Sequence, residues 1–254
     1  MKPLMLFSVV LIAFGLIIGC NERASSPTDV SFENAEIESN LSDNTDMKTI
    51  AKGHAGLHGD KVGEFEIMLE NLTPANSQPF SPPIAATHKH AHAIFRNGAY
   101  ASDELRQVAE DAVNDPMINF LSNSHRVYDV AVGGGALPPG QTATMTIEAR
   151  VGFRKLSLVA MLVNTNDAFV AADGVLLPIN GSKEYYLHSY DAGTEKNTEL
   201  EAHIPGPCCG NPFVRVPTHE KISRHDGIQG IGDLDPAIYD WDEPVAKLTI
   251  TRVD

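Results

Sequence analysis

Residues 142–151 alternate without a fault: Thr142, Thr144, Thr146, Glu148 and Arg150 interleave with Ala143, Met145, Ile147, Ala149 and Val151. A period of two sends the two sets to opposite faces of an extended chain, so the pattern predicts a strand with one face in a core and one in water. Phe65, Ile67 and Leu69 repeat it against Glu64, Glu66, Met68 and Glu70. One-sided alternation is typical of antiparallel sheet. Leu156–Val163 is instead apolar but for Ser157, as suits a central strand covered on both sides. Further strands are predicted over 91–96, 127–132, 174–178, 183–188 and 245–253. Turn-forming Pro-Pro-Gly at 138–140, Ile-Asn-Gly at 179–181 and Asp-Ala-Gly at 191–193 separate several of them.

Ser102, followed by Asp103 and Glu104, predicts the capped start of a helix, because carboxylates in a first turn face the positive end of the helix dipole. Asp115-Pro116 starts a second, shorter one. The fold class expected is all-β: an antiparallel β-sandwich with one or two short helices inserted in a connection.

The first residues follow a different pattern. Lys2 gives a positive start, Leu4–Ile18 is apolar but for Ser8, and small Gly19 precedes Cys20. The run falls short of the roughly 20 residues that cross a bilayer. It reads as a lipoprotein signal peptide, 1–19, with Cys20 as the lipidated first residue of the mature chain. Bacterial lipoproteins retained in the inner membrane resemble one another in carrying Asp after the cysteine. Asn21 stands there in this chain, which points to an outer membrane lipoprotein facing the periplasm or the cell surface. Residues 20–60 are rich in Ser, Asn, Asp and Glu and read as the lipid anchor and a disordered tether. A tether of about 40 residues has an end-to-end distance of about 35 Å. The folded domain is expected over 61–254.

The net charge of −14 argues against nucleic acid, whose phosphates attract basic surfaces, and against simple electrostatic adhesion to anionic lipid. Besides Cys20 the only cysteines are the neighbours Cys208 and Cys209, so no framework of loop-stapling disulfides can form. The pair fits thiols, a strained vicinal disulfide or sulfur ligands for a metal.

Two groups of residues have the chemistry to hold a cation. Asp167 sits in the turn Asn164-Thr165-Asn166-Asp167, and Asp191 and Glu195 flank the tight turn at Gly193. Hard cations such as Ca²⁺ take six to eight oxygen ligands, which carboxylate-rich and amide-rich turns supply. Aspartate in a turn also serves simply as a backbone cap. His88, His90 and His92 form the second group. If their segment is extended they project from one face at about 7 Å intervals, so adjacent pairs could share Zn²⁺ or Cu²⁺ with help from His203, His219, His225 or the cysteine pair. The same histidines also fit a polar strand or loop in which they only make hydrogen bonds, or a pH response.

Four runs carry a resemblance: Glu70–Pro83 (ENLTPANSQPFSPP), Ser157–Asp167 (SLVAMLVNTND), Tyr190–Glu195 (YDAGTE) and Leu234-Asp235-Pro236. In order and content they resemble the spondin N-terminal domain of F-spondin, mindin and many bacterial secreted proteins. The resemblance spans roughly Phe65 to Arg252. It implies a C2-like antiparallel β-sandwich. It also implies calcium held by Asp167, Asp191 and Glu195, where Glu195 replaces the Asp of animal members and keeps the charge on a side chain one methylene longer. The histidine stretch resembles bacterial members only.

The function expected is that of a cell-envelope lipoprotein whose calcium-binding domain recognises or adheres to a protein or glycan, and catalysis is not expected. The alternative is an envelope protein that binds or handles zinc or copper through His88, His90 and His92, with His203.

Overall fold

The computed structural model describes residues 61–90, 94–206 and 214–254. The alternating segments become β1 (Lys61–Asn71) and β4 (Thr142–Arg150), paired antiparallel with Ile67 opposite Met145 and Phe65 opposite Ile147. On its other side β1 pairs with β9 (Ala246–Arg252), with Ile67 opposite Ile250 and Leu69 opposite Leu248. Matched registers put Phe65, Ile67, Leu69, Met145, Ile147, Leu248 and Ile250 on one face, since a shift of one position would turn all of them to water.

A second sheet contains β2 (Ile84–His88), β3 (Val127–Val132), β5 (Lys155–Met161) and β6 (Ala168–Leu176) in the order β3, β2, β5, β6. β7 (Ser182–Asp191) joins the two sheets, because Ser182–Leu187 pair with β9 and His188–Asp191 pair with β6. All these pairings are antiparallel, and the two-residue β8 (Ser223–Arg224) adds to the end of β7. The opposite edges, β3 and β4, meet through a side chain, Glu148 N donating to Asp129 Oδ2 at 2.8 Å, and Thr87 Oγ1 of β2 adds a bond to the Glu148 carbonyl at 2.7 Å. The expected all-β sandwich is therefore present and nearly closed.

Phe65, Ile67, Leu69, Ile147, Leu248 and Ile250 meet Leu156, Leu158, Ala160 and Val170 between the sheets. Each large side chain buried there stabilises the fold by about 2 kcal/mol. A second apolar layer lies outside β2, β5 and β6, where α1 (Asp103–Asp111) and α2 (Asp115–Ser122) bring Leu105, Val108, Met117 and Leu121 onto Ile84, Val159 and Phe169. β5 is thus covered on both faces, as its unbroken apolar run requires. Ser102 caps α1 by accepting from Leu105 N at 3.2 Å. A last helix, α3 (Pro236–Tyr239), is a single turn capped by Asp235.

Two expectations shift. No strand occupies 94–96, and the strand of this region is β2 at Ile84–His88, while 91–93 lie outside the described residues. The histidines and small residues around 91–96 offered a weak alternating pattern, whereas Ile84-Ala85-Ala86-Thr87-His88 is buried throughout and shows no period at all. The strand expected at 174–178 begins earlier, at Ala168, because the apolar stretch there lies buried in the sheet beside β5. Cys20, the whole of 1–60, His92 and the pair Cys208-Cys209 lie outside the described residues.

Candidate functional site: a carboxylate pole

β5 runs between two ends of the sandwich, and the predicted cation ligands cluster where it ends and β6 begins. The turn 162–167 is held by its own side chains: Thr165 Oγ1 donates to the Leu162 carbonyl at 2.6 Å and accepts from Ala168 N at 3.1 Å. Much of the ENLTPANSQ run braces it from behind. Gln78 Oε1 accepts from Asn164 N at 3.1 Å while Gln78 Nε2 donates to the Tyr239 carbonyl at 2.9 Å, and Asn164 Nδ2 donates to the Ser77 carbonyl. Asn71 Nδ2 in turn holds the carbonyls of Gln78 and Leu137 at 2.8 and 3.0 Å. These hydrogen bonds among buried polar groups fix the turn in one shape.

Asp167 at the turn's end is fully buried. Its Oδ2 accepts from Thr194 N at 2.8 Å and Glu195 N at 3.0 Å, joining the β5–β6 turn to the loop after β7. Its Oδ1 has no hydrogen-bond partner. Burial, then the nearby charge of Asp191, push its carboxyl up to about 7. Asp191 closes β7, accepting from Gly193 N at 2.6 Å on Oδ1 and from Asn197 Nδ2 at 2.6 Å on Oδ2. Asn197 Oδ1 is likewise buried without a partner. Gly193 is at φ +70° with the Glu220 backbone 2.6 Å from where a Cβ would lie, so the turn requires glycine.

Glu195 is buried as well, accepting from Asn166 Nδ2 at 3.1 Å. Burial pushes its carboxyl up to about 8; Glu110 and Asp167 add to the shift, and the Asn166 hydrogen bond and the Arg215 charge oppose it. Arg215 itself pairs with Glu110, and with Asp111 at 2.6 Å, fastening residues after 213 to α1. The turn geometry thus gathers Asp167, Asp191 and Glu195 at one end of the sandwich. Among the described residues, however, no three His, Cys, Asp or Glu side chains converge as a metal-ligand set. Of the buried oxygens without partners in these loops, Asn164 Oδ1 faces Gly206, while the other two belong to Asp167 and to Asn197, whose role nothing in the sequence announced. Burying an ionised oxygen unpartnered beside a second carboxylate is costly unless a proton or a cation joins them, and the donor set fits a hard cation.

The neighbouring carboxylates are committed elsewhere. Glu199 spends both oxygens on the amides of Gln229 and Ile231, at 2.6 and 2.8 Å, and Asp240 Oδ1 accepts from Ile228 N at 2.9 Å. Asp235 caps α3, accepting from Ala237 N at 2.9 Å, and Asp233 Oδ2 accepts from Glu201 N at 3.1 Å.

The histidines part company. β2 stops at His88, which is buried, with Nε2 2.8 Å from Ser157 Oγ and Nδ1 2.8 Å from the Lys89 carbonyl. Both ring nitrogens are engaged, and burial lowers its pKa. His90 is exposed, so His88 and His90 share no face. His88 pairs with Lys155 at the start of β5, whereas His203 bonds Thr198 Oγ1 at 3.0 Å beside Asn166, at the other end. A strand of this length puts about 20 Å between them, too far to share an ion. His225 is partly buried close to Asp191, with Nδ1 accepting from Gly227 N at 3.0 Å. Its proton in the neutral form is then on Nε2, which leaves no lone pair for a metal. His219 stacks on Tyr100 at 4.3 Å.

Comparison with known families bears on this pole directly, for a family model described as Spondin_N matches residues 71–204, just over half the chain. The chain belongs to the Spondin_N family. The match takes in the Asn71–Gln78 brace, the Asn164–Asp167 turn and the Asp191–Glu195 turn, so the whole carboxylate pole of this Spondin_N domain lies inside it. β8 and β9 follow it in the chain and complete the sheets. No curated protein matches the chain.

Proposed function

We propose that the carboxylate pole binds one Ca²⁺ and that the calcium-loaded end of the domain recognises a protein or glycan at the surface of a cell envelope. The observation that carries the reading is the buried Asp167, with Oδ1 unpartnered and its carboxyl raised by burial and by the neighbouring Asp191. Asp167 and Asp191 would hold the ion, with the Asn197 carboxamide oxygen beside them and Glu195 adding negative charge. When bound, calcium supplies the positive charge that lets these buried carboxyls ionise together. Residues of this chain do the rest. The Gln78 brace holds the 162–167 turn, the amides of Thr194 and Glu195 hold Asp167 Oδ2, and Gly193 lets the Asp191 turn close. Calcium would thereby lock the loops 162–167 and 191–199 into one recognition surface.

The envelope setting rests on the leader and on Cys20. Lipidation of Cys20 would hold the chain at the outer membrane, with residues 20–60 as tether and the domain free to reorient above the surface. Recognition is the role proposed for this pole, with the ion fixing the two loops in place.

Isothermal titration of the chain from Asn21 onward with CaCl₂ tests the reading, together with a calcium-dependent pull-down of envelope partners. About one equivalent bound, lost in Asp191→Ala along with the pull-down, is the expected result. A variant that captures partners as well as the parent would remove calcium from the account.

A further inference from the structure

The end of the sandwich opposite the carboxylates has the reverse character. Here β2, β4, β6 and β9 end and β1, β3, β5 and β7 begin, as the pairs Lys61 with Arg150, His88 with Lys155, Lys155 with Leu176 and Ser182 with Thr251 require. Arg126, Lys89, Arg150, Arg154 and Lys155 meet across three connections. Lys89 N donates to the Arg126 carbonyl at 2.9 Å, and Leu177 N donates to the Arg154 carbonyl at 3.2 Å. The Phe153 ring carries two cations, Arg150 at 4.3 Å and Lys89 at 5.0 Å, and Arg150 also lies 5.2 Å from the Tyr128 ring.

Three of these cations have little to neutralise them. Lys89, Arg154 and Lys155 make no ion pair among the described residues, and Arg154 Nε is buried without an acceptor. The carboxylates nearby are Asp129, which accepts from the amides of Val130 and Glu148, Asp254, which pairs with Arg252 at 3.0 Å, Glu64 and Glu148 on the outer sheet face, and Asp173, whose neighbour Gly174 lies against the Lys155 side chain. At the same end stand exposed apolar tips: Val151 and Ile179, 69% and 64% exposed, with Leu176 and Val253. Cations around protruding aliphatic side chains are the composition that adsorbs to a charged bilayer surface, with the charges on phosphates and the tips at the acyl boundary.

We propose that this cationic pole docks on the anionic phosphate headgroups of a phospholipid membrane. The whole chain carries a net charge of −14, so the pole works by segregation of charge rather than by excess. Its position suits such docking, since 60 residues precede Lys61 and the chain enters the domain at this pole. Whatever holds that preceding segment at a membrane draws the cations towards it and leaves the carboxylate pole facing away. The docking requires neither lipid at Cys20 nor calcium at Asp167, and both are excluded from its test.

The chain from Asn21 onward, without lipid, is co-sedimented with vesicles of phosphatidylcholine alone or with three-tenths phosphatidylglycerol, in chelator and low salt. Binding to the anionic vesicles only, weakened at least tenfold by about 0.5 M NaCl, is expected. Neutralising Lys89, Arg154 and Lys155 together to Gln should weaken it about 100-fold, given about fivefold per charge near the surface. Lys155→Gln alone, which leaves the ring contacts intact, should weaken it about fivefold and serves if the triple variant fails to fold. Equal binding to neutral vesicles, or an unchanged affinity in the folded variants, would overturn the proposal. So would displacement from vesicles by a few millimolar inorganic phosphate, which would make the pole a site for small free anions.

Discussion

The two ends of β5 hold buried polar side chains, yet they differ in what is left open. At its start, His88 has both ring nitrogens engaged, by Ser157 and by a carbonyl. Just past its end, Asp167 has one oxygen held by two amides and the other held by nothing. Histidine is the more familiar metal ligand, but ligation needs a free lone pair, and of these two side chains only the carboxylate has one to offer. A residue's type names the chemistry it is capable of; the bonds it already makes decide whether that chemistry is available.

Removing the open end should have the largest effect. Asp191→Ala is expected to weaken calcium binding on the order of 100-fold or more, because a hard cation loses one of its few charged ligands. The circular dichroism of the variant in chelator should match the parent, separating loss of the ion from loss of the fold. If Asp191→Ala binds calcium as the parent does, the contrast between the two ends fails.

Breaking the closed end should give the opposite result. His88→Ala takes one of the two partners of Ser157 Oγ, leaving Gly174 N, and opens a gap between β2 and β5, at a cost of about 2–3 kcal/mol in urea unfolding, with calcium affinity unchanged. A change in calcium binding, or loss of bound zinc or copper, would show that His88 does more than pack.

The pH dependence of stability sharpens the comparison further. Folding raises the Asp167 carboxyl from an ordinary 3.8 to about 7 and that of Glu195 from 4.5 to about 8. Between those limits the folded chain binds protons that the unfolded chain has released, so without calcium stability falls as pH rises from about 4 to about 8. Melting curves in chelator should therefore shift to lower temperature from about pH 5 to about pH 8. Saturating calcium should flatten that slope by stabilising the ionised carboxylates. A flat profile in chelator would mean that the two carboxyls are not strained by folding.

The smallest effect is expected for Glu195→Asp, which restores the residue type of animal relatives. The carboxylate accepts from Asn166 in this chain, and shortening it by one methylene should change calcium affinity about threefold or less, by titration. A gain far larger than that would make Glu195 the weak member of the ligand set.

Much of this architecture could be read from residue order. The alternation at 65–69 and 142–151 placed β1 and β4 and their buried faces, and the continuous run at 156–163 gave a strand covered on both sides. Ser102 and its two acids marked the helix start. β2 was not visible, because a strand buried on both faces has no alternation, and Ala-rich Ile84–Thr87 has little bulk to betray it. The turns bearing Asp167, Asp191 and Glu195 were legible from their Asp, Asn and Gly content. Neither the free Oδ1 of Asp167 nor the part of Asn197 was, since both depend on which hydrogen bonds the neighbouring loops take. The cationic pole was hidden for another reason. Its members come from three separated connections, and a net charge of −14 conceals any local excess of the other sign.

The most direct test of the account is to determine the metals bound to the purified chain from Asn21 onward by elemental mass spectrometry, before and after dialysis against a weak chelator. The account predicts about one equivalent of calcium, absent from Asp167→Asn and retained in His88→Ala. Zinc or copper in place of calcium, or no metal that depends on Asp167, would contradict it.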